Sequence, residues 1–301
     1  MTASILSVFS REMKNRRKES SRMRTVSSLL SVSSVLICLA VVSSHAVSEN
    51  GPWRKVEEGL FLGQFDAPYE TLVKDSKIII LKVNPKYYSF RLFCASELGK
   101  IRLTPKEWCK KYNLIAAINA GMYQKDGLTN VGYMKNYSHL NNPRLNSTYK
   151  AVLAFNRVDI HVPEIQIIDL KCQDFETLRP KYQTFIQGIR MVSCHQENVW
   201  SKQDRSWSLA VLGVDKEGSV LFILSEAPYS GYDFNNVLLS LPLSIFNATY
   251  LEGGPEASLY FSAMGTELEK VGIYGMGPDG SVVRSGAYPI PNVIGITRKK
   301  N

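Results

Sequence analysis

Ser208-Leu209-Ala210-Val211-Leu212-Gly213-Val214-Asp215-Lys216-Glu217-Gly218-Ser219-Val220-Leu221-Phe222-Ile223-Leu224 reads as two apolar runs joined by a polar turn. Each run has strand length, and the intervening Asp, Gly and Ser carry turn chemistry, so the stretch folds back on itself as a β-hairpin. A hairpin fixes antiparallel pairing, because parallel neighbours need a crossover of a dozen or more residues. Working outward, residues 59–65 and 77–83 read as strands, the second nearly continuous in β-branched side chains. Asn84-Pro85-Lys86 is a turn signal that predicts a hairpin between 77–83 and the aromatic run 87–94. Further strands are expected at 114–118, 151–155, 165–170, 185–192, 248–251, 258–262 and 293–296.

Helices are fewer. Thr104-Pro105-Lys106-Glu107 spells a capping box with proline in the first turn and starts a helix that runs to about Tyr112. Residues 175–182 and 232–241 are the other helical segments, the latter capped by Ser230 or Asp233. Residues 126–149 are polar, with Asn, Gly and Pro throughout, and read as a long loop over a site. Strands outnumber helices and hairpins join many of them. The expected class is α+β, a single domain with a mixed, mostly antiparallel sheet and a few packing helices.

The first 46 of the 301 residues differ from the rest. Seven Lys/Arg precede residues 26–46, an uncharged apolar run ending in small residues around Ala46. This reads as a signal peptide cleaved after Ala46, with an uncleaved N-terminal membrane anchor as the alternative. Residues 47–52 form a linker and 53–301 the domain. The protein is expected to be exported: periplasmic, secreted or tethered to the outer face of a membrane. Removing that leader takes away seven basic and two acidic residues and lowers the net charge from +9 to +4. The remaining surplus is spread out and not interleaved with aromatics, which argues against a nucleic-acid partner.

Four cysteines follow the leader: Cys94, Cys109, Cys172 and Cys194. An even count in an exported chain favours disulfides in one of three pairings, and short loops favour Cys94–Cys109 and Cys172–Cys194, with four buried thiols as the alternative. No Cys-x-x-Cys pair occurs, and the histidines lack ligand spacing, so no metal and no cofactor are expected. No P-loop, Gly-x-Gly-x-x-Gly or Gly-x-Ser-x-Gly elbow is present, so nucleotide-binding and serine-hydrolase readings lack their usual supports.

Two segments place polar residues where an apolar strand stops: Ile118-Asn119-Ala120-Gly121-Met122-Tyr123 and Leu251-Glu252-Gly253-Gly254-Pro255-Glu256-Ala257-Ser258. Glycines there let a backbone approach a ligand closely. Glycoside hydrolysis commonly uses two carboxyl groups, which Glu252 and Glu256 supply. Arg190 or Arg205 is the candidate clamp for an anionic group through a bidentate guanidinium contact.

These two segments, with Gln187-Gly188-Ile189-Arg190-Met191-Val192 and Leu212-Gly213-Val214-Asp215, occur in the order and approximate spacing of the phosphodiester glycosidase family. The chain resembles that family over about residues 75–300, and its exported bacterial branch in particular. The resemblance implies hydrolysis of a sugar from a phosphate-linked glycoconjugate. Glu252, Asn119 and Glu256 are then the catalytic candidates; Gly121, Arg190, Arg205, Gly253 and Gly254 are the substrate-binding ones. Characterised members carry Asp at the position of Glu252 and Arg at that of Leu209. The second reading is therefore a non-catalytic envelope protein that binds glycan or cell-wall polymer. Expected partners are a sugar-phosphate or glycan substrate, and a membrane if the N-terminal segment stays uncleaved.

Overall fold

The structure is a computed structural model that describes residues 51–68, 73, 76–276, 281–283 and 286–300. The signal peptide or anchor read at 1–46 lies outside the described residues. In chain order the elements are β1 (Trp53–Glu57), β2 (Leu60–Asp66), β3 (Lys77–Val83), β4 (Tyr88–Cys94), α1 (Pro105–Tyr112), β5 (Ala116–Asn119), β6 (Met134–Asn136), β7 (His139–Asn142), β8 (Ala151–Arg157) and β9 (Ile165–Asp169). They continue as α2 (Phe175–Leu178), β10 (Tyr182–Val192), β11 (Trp207–Asp215), β12 (Val220–Tyr229), α3 (Gly231–Ser240), β13 (Ile245–Gly253), β14 (Ser258–Ala263), β15 (Thr266–Val271), β16 (Gly275–Met276), β17 (Val282–Val283) and β18 (Asn292–Arg298).

The hairpin read from 208–224 is β11–β12, antiparallel from Val214↔Val220 to Leu209↔Ser225. Asp215 closes its turn: Oδ1 accepts from the Ser219 and Glu217 N–H groups at 2.7 and 3.1 Å. Gly218 takes the left-handed conformation, φ 81°. The buried Asp215 carboxylate is paired with Lys82 at 2.6 Å. Around this hairpin grows a large sheet of order β1-β2-β3-β12-β11-β13-β10-β6-β7, with β8 on β10 and β9 on β8. A second sheet runs β15-β14-β5-β18-β4.

The two sheets share one apolar core, to which Leu81, Leu212, Phe222 and Leu251 come from the first and Phe90, Ile118, Phe261 and Ile294 from the second. Phe90 and Phe222 meet edge to face at 6.3 Å. Truncating such a side chain to alanine costs about 3–5 kcal/mol. On the other side of the first sheet, Phe234, Val237 and Leu238 of α3 pack on Ile80, Leu221 and Ile223. On the second, Trp108 of α1 packs with Phe93 and Tyr260.

The helix start is as the sequence spells it: Thr104 Oγ1 accepts from Glu107 N–H, and Glu107 Oε2 accepts from Thr104 N–H at 2.8 Å. Ser230 caps α3 by accepting from Asp233 N–H.

The α+β reading needs correction. The mostly antiparallel pairing and the few helices are as read, but the described residues are mostly β, 49% strand against 12% helix, and every strand pairing among them is antiparallel, so the sheet is not mixed. The hairpin expected across Asn84-Pro85-Lys86 also does not form. β3 pairs with β2 and β12, whereas β4 pairs with β18, so this turn carries the chain from one sheet to the other.

The 126–149 segment is not a structureless loop. It contains β6 and β7, and Gln187 fastens it by accepting from Tyr133 and Asn146 N–H and donating to the Asn146 and Tyr149 carbonyls. Helix 175–182 stops after one turn and passes through a 3-10 turn at Arg179–Lys181, which contains Pro180. Cys172–Cys194 is a disulfide, as read, but Cys94 and Cys109 are free and buried. Cys94 ends β4 beside Met134, and Cys109 sits in α1 among the outer aromatics. No helix among the described residues is long and apolar enough to cross a membrane.

Candidate functional site

Strand β5, central in the second sheet, delivers Asn119 at its C-terminal end, and β13 delivers Glu252 and Gly253 at the end of its run in the first. From Gly253 the chain makes a 3-10 turn, Gly254–Glu256, and enters β14 beside β5. The glycine turn is thus a crossing from one sheet to the other. Asn119, 2% exposed, splints it: Nδ2 donates to the Glu256 carbonyl at 3.0 Å, and Oδ1 accepts from the Ser258 N–H at 2.8 Å. The two segments singled out from sequence are therefore physically joined. Asn119 does so by holding the turn, with both ends of its amide engaged inside the protein.

Gly121 follows with φ 109°, and a Cβ there would stand 2.7 Å from Asn130 Oδ1. Conformation and space both require glycine. Gly254 also has a left-handed φ, 66°. Gly253 is demanded by space: a Cβ would lie 2.1 Å from the Tyr250 hydroxyl oxygen and 2.4 Å from the Trp207 ring. Its N–H is taken by the Glu252 carboxylate at 3.0 Å, so it is not free for a substrate.

Glu252 lies opposite Ala210 in the sheet. Some of the residue is open to solvent, yet the carboxyl is enclosed closely enough for burial to dominate. Burial pushes its pKa up to about 8, opposed by the Gly253 N–H and reinforced by the charge of Glu256. At pH 7 such a group is roughly 90% protonated. Aromatic hydroxyls surround it. Tyr149 is raised by burial and then by Glu252; Tyr123 by burial, Glu256 and Glu252, with Arg102 opposing. Tyr250 is raised by burial and then by Glu252. Trp200 stands 6.0 Å from Tyr250 and 6.5 Å from Trp207, and donates its indole N–H to the Arg190 carbonyl.

The two arginines read as clamps are engaged differently. Arg190 pairs with the buried Asp169, Nη1 lying 3.0 Å from both carboxylate oxygens, and its strand partner on β13 is Thr249. It is a structural ion pair, because Asp169 is 1% exposed and would otherwise be an uncompensated buried charge. Arg205 stands in the exposed 201–206 stretch. Leu209 is fully buried opposite Gly253, so the cation implied there by resemblance is absent.

Arg102 is the cation that acts on Tyr123, and sequence reading missed it together with Tyr149, Tyr250 and Trp207. Tyr250 alone carried a signal, standing two residues before Glu252. A groove of about 670 Å³ opens elsewhere, beside Arg91, Tyr137 and Asn156, and none of the Glu252 group lines it.

The profile of a family described as phosphodiester glycosidase matches residues 112–297, which span both segments. Among solved structures, a hypothetical protein from Synechocystis has a TM-score of 0.55 at 14% identity, over 83% of this chain and 64% of that one. The chain thus spans just under two thirds of that protein's length. The catalytic domain of zebrafish N-acetylglucosamine-1-phosphodiester alpha-N-acetylglucosaminidase, auto-inhibited by its pro-peptide, gives 0.53 at 14%, over 84% of this chain and 85% of that one. At such identities the likeness is one of fold. A search of curated protein sequences returns no match.

Proposed function

Since the chain belongs to the phosphodiester glycosidase family, we propose that it is an exported hydrolase that cleaves a sugar from a phosphate-linked glycoconjugate, with Glu252 as its proton donor. The observation that carries this reading is the raised pKa of Glu252 beside a second carboxylate, Glu256. A neutral acid can lie against an anionic phosphodiester and donate a hydrogen bond to it, where an ionised one would repel it.

In the proposed reaction the bond between the anomeric carbon and the phosphate oxygen breaks. Glu252 passes its proton to the departing phosphate, and water adds to the anomeric carbon while losing a proton toward Glu256. The products are a free sugar and a phosphomonoester. Asn119 serves by holding Glu256 in place through its carbonyl. The aromatic group of Tyr123, Tyr149 and Trp207 offers apolar ring faces and hydroxyls suited to a pyranose, and Arg102 is the cation suited to the phosphate.

The test is sugar release from α-linked sugar phosphodiesters. Glu252→Gln should abolish turnover, and Arg102→Ala should raise KM for a phosphodiester while sparing a neutral aryl glycoside. Unchanged turnover by Glu252→Gln would sink the assignment. Leu209, buried opposite Gly253, favours a second reading, a glycan-binding protein without turnover. Glycan binding that survives Glu252→Ala, with no hydrolysis on a broad panel, would establish it.

A further inference from the structure

Away from the glycine turn, the end of β4 meets the β6–β7 hairpin at a group of side chains that the hydrolytic site does not use. The ligand atoms of Cys94, Glu97 and His139 all lie within 4.8 Å of one another. Cys94 Sγ is also 3.7 Å from Met134 Sδ. Two ligands each about 2.3 Å from a tetrahedral centre stand about 3.8 Å apart, so the two sulfurs have the spacing of neighbours on one ion.

The surrounding hydrogen bonds orient the group. Glu97 Oε2 accepts from Asn136 Nδ2 at 2.8 Å. His139 Nε2 is 2.9 Å from Ser96 Oγ, which itself accepts from Asn141 Nδ2 at 2.8 Å. Outer partners of this kind fix ring and carboxylate orientation in metal sites. Cys109, the other free thiol among the described residues, lies among apolar neighbours, and no such ligand group is found around it there.

We propose that Cys94, Glu97 and His139, with Met134 beside Cys94, form a binding site for a thiophilic d10 metal ion, Zn2+ or Cu+. A thiolate, an imidazole and a carboxylate suit zinc, and the thioether adds a ligand that favours copper(I). Binding replaces the Cys94 S–H bond by a sulfur–metal bond and releases that proton to solvent. The ion joins the end of a strand in the second sheet to a hairpin at the edge of the first. Asn141 extends the connection, since its Oδ1 accepts from Asn130 N–H, and Asn130 Oδ1 abuts Gly121. The role is structural, a staple under the loop that follows Asn119.

The experiment titrates the purified full chain with Zn2+ and, separately and anaerobically, with Cu+ against competing chelators, following stoichiometry, proton release and Tm. One ion per chain is expected, with one proton released at pH 7 and a raised Tm. His139→Ala and Glu97→Gln, which alter side chains reaching the surface, should each weaken binding at least tenfold, and Cys109→Ser should not. Loss of Cu+ but not Zn2+ affinity in Met134→Leu would assign the thioether to a copper site, and retention of both affinities would assign the ion to Cys94, Glu97 and His139 alone, the set that suits zinc. No binding of either ion by the wild-type chain, or binding unchanged in both His139→Ala and Glu97→Gln, would overturn the proposal.

Discussion

Glu252→Gln should change how stability depends on pH, and the size of the change follows from the folded site. A glutamate titrates near 4.5 unperturbed and at about 8 in the folded chain. Between these values the folded state keeps a proton that the unfolded state has lost, so stability falls as pH rises. The contribution is complete below about pH 4.5 and is lost progressively until the folded group ionises near pH 8. From pH 5 to pH 7 the loss is about 2.5 kcal/mol, and it approaches about 4 kcal/mol by pH 9.

Glutamine fills nearly the same volume and does not titrate, so the variant lacks this slope. The assay is urea unfolding of both proteins at pH 5, 7 and 9. Taking wild type minus variant cancels the other titrating groups, including the exposed aspartates whose pKa values are lowered. The variant should gain on wild type by about 2.5 kcal/mol from pH 5 to 7. Parallel stability curves across that window would refute a buried, proton-holding Glu252, and with it the argument for a neutral acid facing phosphate.

Gly253→Ala should destabilise by about 1–3 kcal/mol or displace Trp207, because its Cβ has no room beside Tyr250; tryptophan fluorescence and urea midpoints check this. Asn119→Ala should cost about 1–3 kcal/mol for each buried group it leaves unpaired at Glu256 and Ser258, and should lower turnover more than substrate binding, read as kcat against KM. Alkylation of the native chain should leave Cys172 and Cys194 unmodified until reductant is added, and reduction should lower stability by about 3 kcal/mol for a loop of this length.

What the sequence disclosed and what it withheld divide along local and non-local lines. The Thr104–Glu107 box and the 208–224 hairpin are specified by residues within a few positions of each other, and both form as read. Asn84-Pro85-Lys86 also specifies a turn, but a turn signal does not name the strand's partner, and β4 finds β18 two hundred residues away. The same gap explains the cysteines. Cys94 and Cys109 are close in sequence, yet β4 and α1 direct them into different clusters.

At the site, Glu252 and Asn119 were legible because each ends an apolar run beside glycine. Arg102, Tyr149 and Trp207 were not, because they stand singly in unremarkable stretches and meet only through the fold. Arg190 looked available only because Asp169, its partner, is twenty-one residues upstream on β9.

The crossing turn at Gly253–Glu256 has a mechanical consequence. Glu252 rides on the first sheet through β13, whereas Glu256 is fastened to the second through Asn119 on β5. The gap between the two acids is then a caliper reading of the sandwich itself, opened or closed by whatever fills the space between its layers. Glycosidases that invert and those that retain differ in just this gap, by roughly 1–4 Å. In the proposed hydrolysis, volume changes at Phe90 or Phe222, in the core the two sheets share, are then expected to alter this gap and with it the course of the reaction.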